Sequence, residues 1–184
     1  MRTISIHGMD TLIPGGNPQA KSIVPELVYI SLGSNLGDRA ANLREAIERL
    51  AKAAAVRAVS LIYEAEPVDV ADQPWFLNCA VALETDKSPA ELIKTVLSIE
   101  ETMGRRRTRE KGPRTIDIDI LLFGDRVVEE PGLSIPHPAM HRRRFVLEPL
   151  TEIVPEVRHP VLHRTVRELL DALPPGPCVK ILGT

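Results

Sequence analysis

Cysteine is scarce in this sequence. Cys79 and Cys178 are far apart, with no CxxC pair and no His/Cys cluster. Neither a disulfide framework nor a zinc site is expected, and a reducing cytoplasm is the natural setting. Aromatic residues make up only 3% of the chain, including one Trp, two Tyr and three Phe. A sheet that reads RNA needs stacking platforms, which such a composition supplies poorly. No apolar run approaches the roughly 18 residues of a membrane span. The leader MRTISIHGMDTLIPGGNPQAK has no basic region followed by an apolar one, so a signal peptide is not supported. Charge of one sign is lacking too. With 23 Lys and Arg against 25 Asp and Glu, the formal net charge is -2, and no global field recruits nucleic acid or a membrane.

Several signatures are also missing. Gly33-Ser34-Asn35-Leu36-Gly37 lacks the Lys-Ser/Thr ending of a Walker A loop. No kinase glycine loop, HRD triplet or Gly-x-Ser-x-Gly elbow occurs. Without a covalent nucleophile, any group transfer is left to positioning and electrostatics.

The 184 residues suit one domain of ordinary globular balance, 43% apolar and 26% charged. Residues 1–26 read as a flexible leader, 27–176 as the folded domain and 177–184 as a short tail. Leu27 to Leu32 is a β-rich run that ends in a turn cluster. Asp38 then caps a helix carrying Leu43, Ile47, Leu50 and Ala54 at helical spacing. Val56 to Tyr63 reads as a second strand, Glu64 to Trp75 as a long loop, and Phe76 to Thr85 as a third strand. Ser88-Pro89-Ala90-Glu91 is a capping box that opens a helix through Met103, with Gly104 to end it. Thr115 to Phe123 is a fourth strand. Met140 to Leu150 holds a short helix. A second capping box, Thr165 to Glu168, opens a last one, which Pro174 and Pro175 stop. The β-α-β, β-α-β order predicts an α+β sandwich: an antiparallel sheet with both helices packed on one face, plus a C-terminal arm and helix.

Asp117 and Asp119 are the sharpest feature. Residues i and i+2 of a strand point the same way. Ile116, Ile118, Ile120 and Leu122 then take the helix side, and the two acids stand together on the other. Like charges so close repel unless a cation lies between them. Magnesium is the expected cation, with phosphate oxygens and water completing its shell. Asp-x-Asp alone fits a solvated strand face equally well. The preceding loop shifts the balance: Arg105, Arg106, Arg107, Arg109, Lys111 and Arg114 crowd together against Glu110 alone. Such a loop running into a metal-binding strand suits a polyphosphate; a nucleic-acid patch or a solvated charge run is the other reading. The stiff Gly112-Pro113-Arg114 turn fixes Arg114 at the foot of the strand. A second basic cluster, His141-Arg142-Arg143-Arg144, follows Pro136-His137-Pro138. By themselves, His137 reads as structural, and Phe76 and Phe145 as core.

Together these residues resemble the 6-hydroxymethyl-7,8-dihydropterin pyrophosphokinase family. The resemblance covers roughly Leu27 to Leu173. Its ordered blocks are Leu32 to Gly37, Asp72 to Asn78, Glu100 to Arg107, Gly112 to Asp119, and Ile135-Pro136-His137 through Phe145 to Leu150. It implies a ferredoxin-like βαββαβ core, two magnesium ions, and transfer of the β,γ-diphosphate of ATP to a hydroxymethyl-dihydropterin with release of AMP, in folate biosynthesis. It also implies a monomer. Asp117 and Asp119 match metal ligands, and Arg105 and Arg114 match arginines at the transferring phosphates. Glu100, Arg107, Lys111, Ile120, His137 and Arg143 fall on the nucleotide side. Phe76 and Phe145 match the rings that sandwich the pterin, Asn78 the amide that reads its edge, and Val68 a pterin-side loop position. Asp119 is a candidate acceptor for the hydroxyl proton, though a poor base while it holds a cation. The sequence departs from the family at Glu110 and Lys111, where an arginine and a tryptophan are usual, and at Glu66, Val68 and Pro138. The rival readings are a non-catalytic ferredoxin-like module for nucleotide or RNA, and an acylphosphatase-like hydrolase.

Overall fold

A computed structural model describes residues 24–67, 73–105, 112–176 and 179–182. Strand β1 (Glu26–Ser34) sends Val28, Ile30 and Leu32 to one face and Tyr29, Ser31 and Gly33 to the other. Asp38 caps α1 (Arg39–Ala51): its side chain accepts from Ala41 N at 3.0 Å. Helix α2 (Pro89–Thr102) opens on the expected capping box. Ser88 Oγ accepts from Glu91 N at 3.3 Å, and Glu91 Oε2 accepts from Ser88 N at 2.8 Å. Such a cap is worth about 1 kcal/mol.

Strand β4 (Phe76–Thr85) pairs antiparallel with β1, and β1 pairs antiparallel with β5 (Asp117–Phe123). The expected second strand is split into β2 (Ala55–Val59) and β3 (Tyr63–Ala65), which pair with opposite ends of β4. Ser60 bridges the break: its N–H donates to Ala80 O at 3.0 Å, and its Oγ accepts from Ala80 N at 2.9 Å. The main sheet runs β5-β1-β4-β3-β8, with β2 beside β4.

Helices α1 and α2 share one face, as expected. Leu43, Leu50, Leu92 and Val96 pack there against Val28, Ile30, Leu32, Cys79, Val81, Ile118 and Ile120. The expected arrangement of β5 needs one correction. Tyr29 lies opposite Leu122 but Ile30 lies opposite Ile120, so Leu121 is an extra residue, a β-bulge. The bulge breaks the alternation, and Leu122 joins Leu121 on the far face instead of following Ile116, Ile118 and Ile120.

That far face is not left open along its whole length. After the hairpin β6 (Val128–Glu130) and β7 (Leu133–Ile135) and a 3-10 turn at Met140–Arg142, α3 (Arg144–Ile153) and α4 (Val166–Asp171) pack across half of it. Val146, Leu147, Leu150, Val166 and Leu169 meet Tyr29, Ala80, Ala82, Leu121 and Leu122. The small Ala80 and Ala82 let α3 approach the strand. Helices therefore lie on both faces. The segment read as a tail contains β8 (Val179–Ile181), which pairs with β3. Among the described residues no helix is long and apolar enough to cross a membrane.

Candidate active site

The half of the far face that α3 and α4 leave bare carries the expected chemistry. Strand register sets it out in rows. Gly33 of β1 lies between Asp117 of β5 and Asn78 of β4, and Ser31 lies between Asp119 and Ala80. Gly33 keeps the first row open: a Cβ there would meet Asn78 Oδ1 at 3.1 Å, Phe76 Cδ1 at 3.8 Å and Asp117 Cβ at 3.9 Å. Bare backbone thus lets an acid and an amide face a common space.

Two cavities meet here. The first, about 700 Å³, is lined by Phe76, Asn78, Arg114, Asp117, Arg143 and Phe145, among others. The second, about 640 Å³, is lined by Ile93, Ile120, His137 and the β6–β7 hairpin. Asp119 borders both. Phe76, Asn78 and Phe145, expected around a flat ring, fall in the first; Ile120 and His137, expected beside a nucleotide, fall in the second, whereas Arg143, expected there too, lines the first.

Asp117 is held between two guanidinium groups, Arg105 at 2.6 Å from Oδ1 and Arg114 at 2.7 Å from Oδ2. Asp119 is worse served. Arg143 and His137 stand 3.8 and 3.9 Å from its Oδ2, beyond direct hydrogen bonding. Desolvation and the neighbouring Asp117 push its carboxyl from 3.8 up to about 6. Burial is the larger cause, and the charge of the second acid adds to it. Two hard oxygen donors fit magnesium, which takes few protein ligands. Among the described residues no group of three or more His, Cys, Asp or Glu forms a self-sufficient metal cage.

Asn78 is 3% exposed and lines the first cavity, and its Nδ2 has no partner among the described residues. An unmatched buried donor costs about 1–3 kcal/mol, so this amide calls for an acceptor from a ligand. Each flanking phenyl ring is already met by a cation: Arg114 lies 5.7 Å from the Phe76 centroid, and Arg143 lies 5.7 Å from that of Phe145.

The same architecture recurs in known proteins. The family model of 7,8-dihydro-6-hydroxymethylpterin-pyrophosphokinase (HPPK) matches residues 29–155. The chain belongs to the HPPK family. It is 48% identical over 133 residues to the 2-amino-4-hydroxy-6-hydroxymethyldihydropteridine pyrophosphokinase of Bacillus subtilis, covering 71% of this chain and 80% of that one. The Methylorubrum extorquens protein of the same name is 45% identical, with 80% and 94% covered. The chain spans only about a fifth of the folic acid synthesis protein fol1 of Schizosaccharomyces pombe, 21% of its length at 44% identity, and covers 81% of itself in doing so. A Plasmodium falciparum HPPK-DHPS crystal structure shares the fold, with a TM-score of 0.66 at 20% identity over 83% of this chain and 46% of that one.

Within this HPPK chain, some side chains do work that the sequence did not announce. Glu100, expected on the nucleotide side, borders neither cavity. It is 3% exposed, accepts from Ile118 N at 2.8 Å and pairs with Arg105. Burial pushes its carboxyl upward and Arg105 opposes that. Its place is behind β5, where it braces the backbone between the two aspartates. Asn35 is equally hidden. Its Oδ1 accepts from Arg114 N at 2.8 Å, and its Nδ2 donates to Gln73 Oε1 at 3.1 Å and Pro74 O at 3.3 Å. Its only signal in the sequence was membership of the Gly33–Gly37 turn. His137 donates its backbone N–H to Leu121 O at 2.9 Å, and its Nδ1 accepts from Ala139 N at 3.0 Å. Burial, then Arg143, lowers its pKa. The ring is therefore neutral with its proton on Nε2, the nitrogen nearest Asp119. Arg142 and Arg144 also line the first cavity. Val68, Arg107 and Lys111 lie outside the described residues.

Proposed function

We propose that this chain transfers the β,γ-diphosphate of ATP to the hydroxymethyl oxygen of 6-hydroxymethyl-7,8-dihydropterin, releasing AMP, as a step of folate biosynthesis. One observation carries the reading: Asp119 is shared by a cavity lined by an orphaned amide and two phenylalanines and a cavity beside His137 and Ile120. A flat, polar-edged ring suits the first. A nucleotide suits the second, with its phosphates directed to the shared acid. The names of the Bacillus subtilis and Methylorubrum extorquens relatives agree.

In the proposed reaction, Asn78 reads the ring edge while Phe76 and Phe145 hold its faces. The hydroxymethyl oxygen forms a bond to the β-phosphorus as the bond from that phosphorus to the α–β bridging oxygen breaks, and AMP leaves. Arg105 and Arg114 carry positive charge to the transferring group, the Nε2 proton of His137 meets the nucleotide side, and Arg143 reaches toward the shared Asp119 from the first cavity. Asp119 is the candidate to take the hydroxyl proton. Two magnesium ions held by Asp117 and Asp119 would supply charge neutralisation at the phosphate oxygens.

The strand order β5-β1-β4-β3 with α1 and α2 on one face supports a ferredoxin-like core within residues 27–176. A monomer acting on small molecules in the cytoplasm completes the reading. Incubation with the pterin alcohol, ATP and magnesium tests it: AMP is the expected nucleotide product. ADP would indicate an ordinary kinase, and no nucleotide product at all would reject the transfer.

A further inference from the structure

The chain beyond residue 155 lies outside the stretch that the HPPK family model matches. Part of it nevertheless walls the first cavity: Leu173, Pro174, Pro175, Gly176 and Val179 line that space. None of them lines the second. The wall is apolar, and two successive prolines stiffen it.

It is also fastened at both ends. Upstream, Arg144 at the start of α3 donates from Nη2 to the carbonyl oxygens of Leu173 at 3.4 Å and Pro174 at 3.3 Å. Downstream, β8 pairs with β3 from Val179 to Ile181, and Leu182 N donates to Ile62 O at 2.8 Å. Lys180 adds a contact on the outer side. Its Nζ is 3.5 Å from Glu64 Oε2 and 5.5 Å from the Trp75 ring centroid, and Trp75 directly precedes Phe76. The strap is therefore tied to β3, which pairs with the strand that carries Phe76, and to the helix that carries Phe145.

We propose that residues 173–176 and 179–182 form a strap that positions the pterin ring, with Arg144 and β8 as its fasteners, and that it sets affinity for the pterin while leaving the nucleotide side alone. The proposal rests on the pyrophosphokinase reading. An apolar wall on one side of the cavity excludes water there, and hydrogen bonds to the buried Asn78 amide are stronger in a drier space. It also fixes how far α3, and with it Phe145, stands from the ring.

The two fasteners can be released independently in the full chain. Arg144→Ala removes the donors to Leu173 and Pro174. Leu182→Pro removes the N–H that reaches Ile62; Leu182 is 42% exposed and outside the cavity. Glu148→Gln is the control, because Glu148 pairs with Arg144 Nη1 at 3.1 Å without touching the strap. Binding of the pterin alcohol is followed by its own fluorescence, and KM values are taken for both substrates. Arg144→Ala and Leu182→Pro should each weaken pterin binding and raise its KM about five- to tenfold. KM for ATP and the unfolding midpoint should stay near wild type. Arg144→Lys should recover part of the loss, and Glu148→Gln should behave as wild type.

Four results would overturn the strap. Loss in Arg144→Ala with a normal Leu182→Pro makes Arg144 a direct contact instead. Parallel loss toward ATP and pterin means general loosening. Normal pterin binding in both variants, in a wild type that releases AMP, rejects the strap and leaves the function standing. A wild type that neither binds pterin nor releases AMP fails the function itself, and the strap with it.

Discussion

Asp119→Asn should stabilise the metal-free protein at neutral pH while abolishing turnover. The carboxyl of Asp119 moves from 3.8 to about 6 on folding, chiefly through desolvation and then Asp117. In an unscreened site such a move corresponds to about 3 kcal/mol. The side chain is 35% exposed, so solvent screening reduces the figure to about 1–2 kcal/mol. The sign follows from the raised value. The favourable contribution of the protonated acid is complete below 3.8 and is lost as pH rises through about 6. Above that the folded state holds a carboxylate it disfavours, which asparagine replaces with a neutral side chain of the same shape. Thermal melts in EDTA from pH 4 to 8 read this out. The two proteins should coincide near pH 4, and the variant's advantage should grow to about 2–8 °C by pH 7.5, using roughly 2–4 °C per kcal/mol for a domain of this size. Magnesium should stabilise wild type and not the variant, narrowing the gap. A variant less stable than wild type at pH 7.5, or an advantage independent of pH, would refute the reasoning that burial and Asp117 together disfavour the Asp119 carboxylate.

Gly33→Ala should raise KM for the pterin about tenfold with KM for ATP nearly unchanged, because its Cβ would lie 3.1 Å from Asn78 Oδ1 and a displaced amide loses its bonds to the ring. Steady-state kinetics with each substrate varied tests this. Asn35→Ala should lower stability by about 1–3 kcal/mol in urea titrations, since it leaves the Arg114 N–H unpaired in a half-buried turn. Glu100→Gln should cut kcat about tenfold or more through a misplaced Arg105. Its melting temperature should hold, because burial already disfavours the Glu100 charge; an unchanged kcat would remove Glu100 from the positioning of the site.

What could be read from the sequence depended on how local its cause was. Both capping boxes, the bounds of β4 and the shared face of Asp117 and Asp119 follow from spacings of two to four residues, and all are present. The helix-side stripe of β5 held through Ile120 and failed at Leu122, because a bulge at Leu121 is set by pairing with β1 and leaves no mark in β5 itself. The break at Ser60 is likewise decided by Ala80 across the strand. The cover of α3 and α4 over half the far face could not be placed from the apolar pattern of those helices, which says that they bury a face but not against what. Glu100 was recognised as a site residue on resemblance, on the nucleotide side, but its contacts with Ile118 N and Arg105 are met only in three dimensions and no spacing announced them.

The same non-local contacts explain how a repulsive site stays ordered without its ligands. Asp117 and Asp119 gain nothing from each other, so the fold must hold them by other means. It does so through backbone on both sides of Asp117. Asn35 Oδ1 takes the N–H of Arg114, and Glu100 Oε1 takes the N–H of Ile118. Asn35 and Glu100 are 1% and 3% exposed and are carried by the β1–α1 turn and by α2, elements whose own stability comes from the apolar core. Asp117 is thus fixed by groups that no substrate displaces, while the arginines on it remain free to exchange partners. Catalytic donors and acceptors set in place beforehand need no reorganisation when charge develops. The stabilisation expected for Asp119→Asn is the measure of what the core supplies to keep that arrangement.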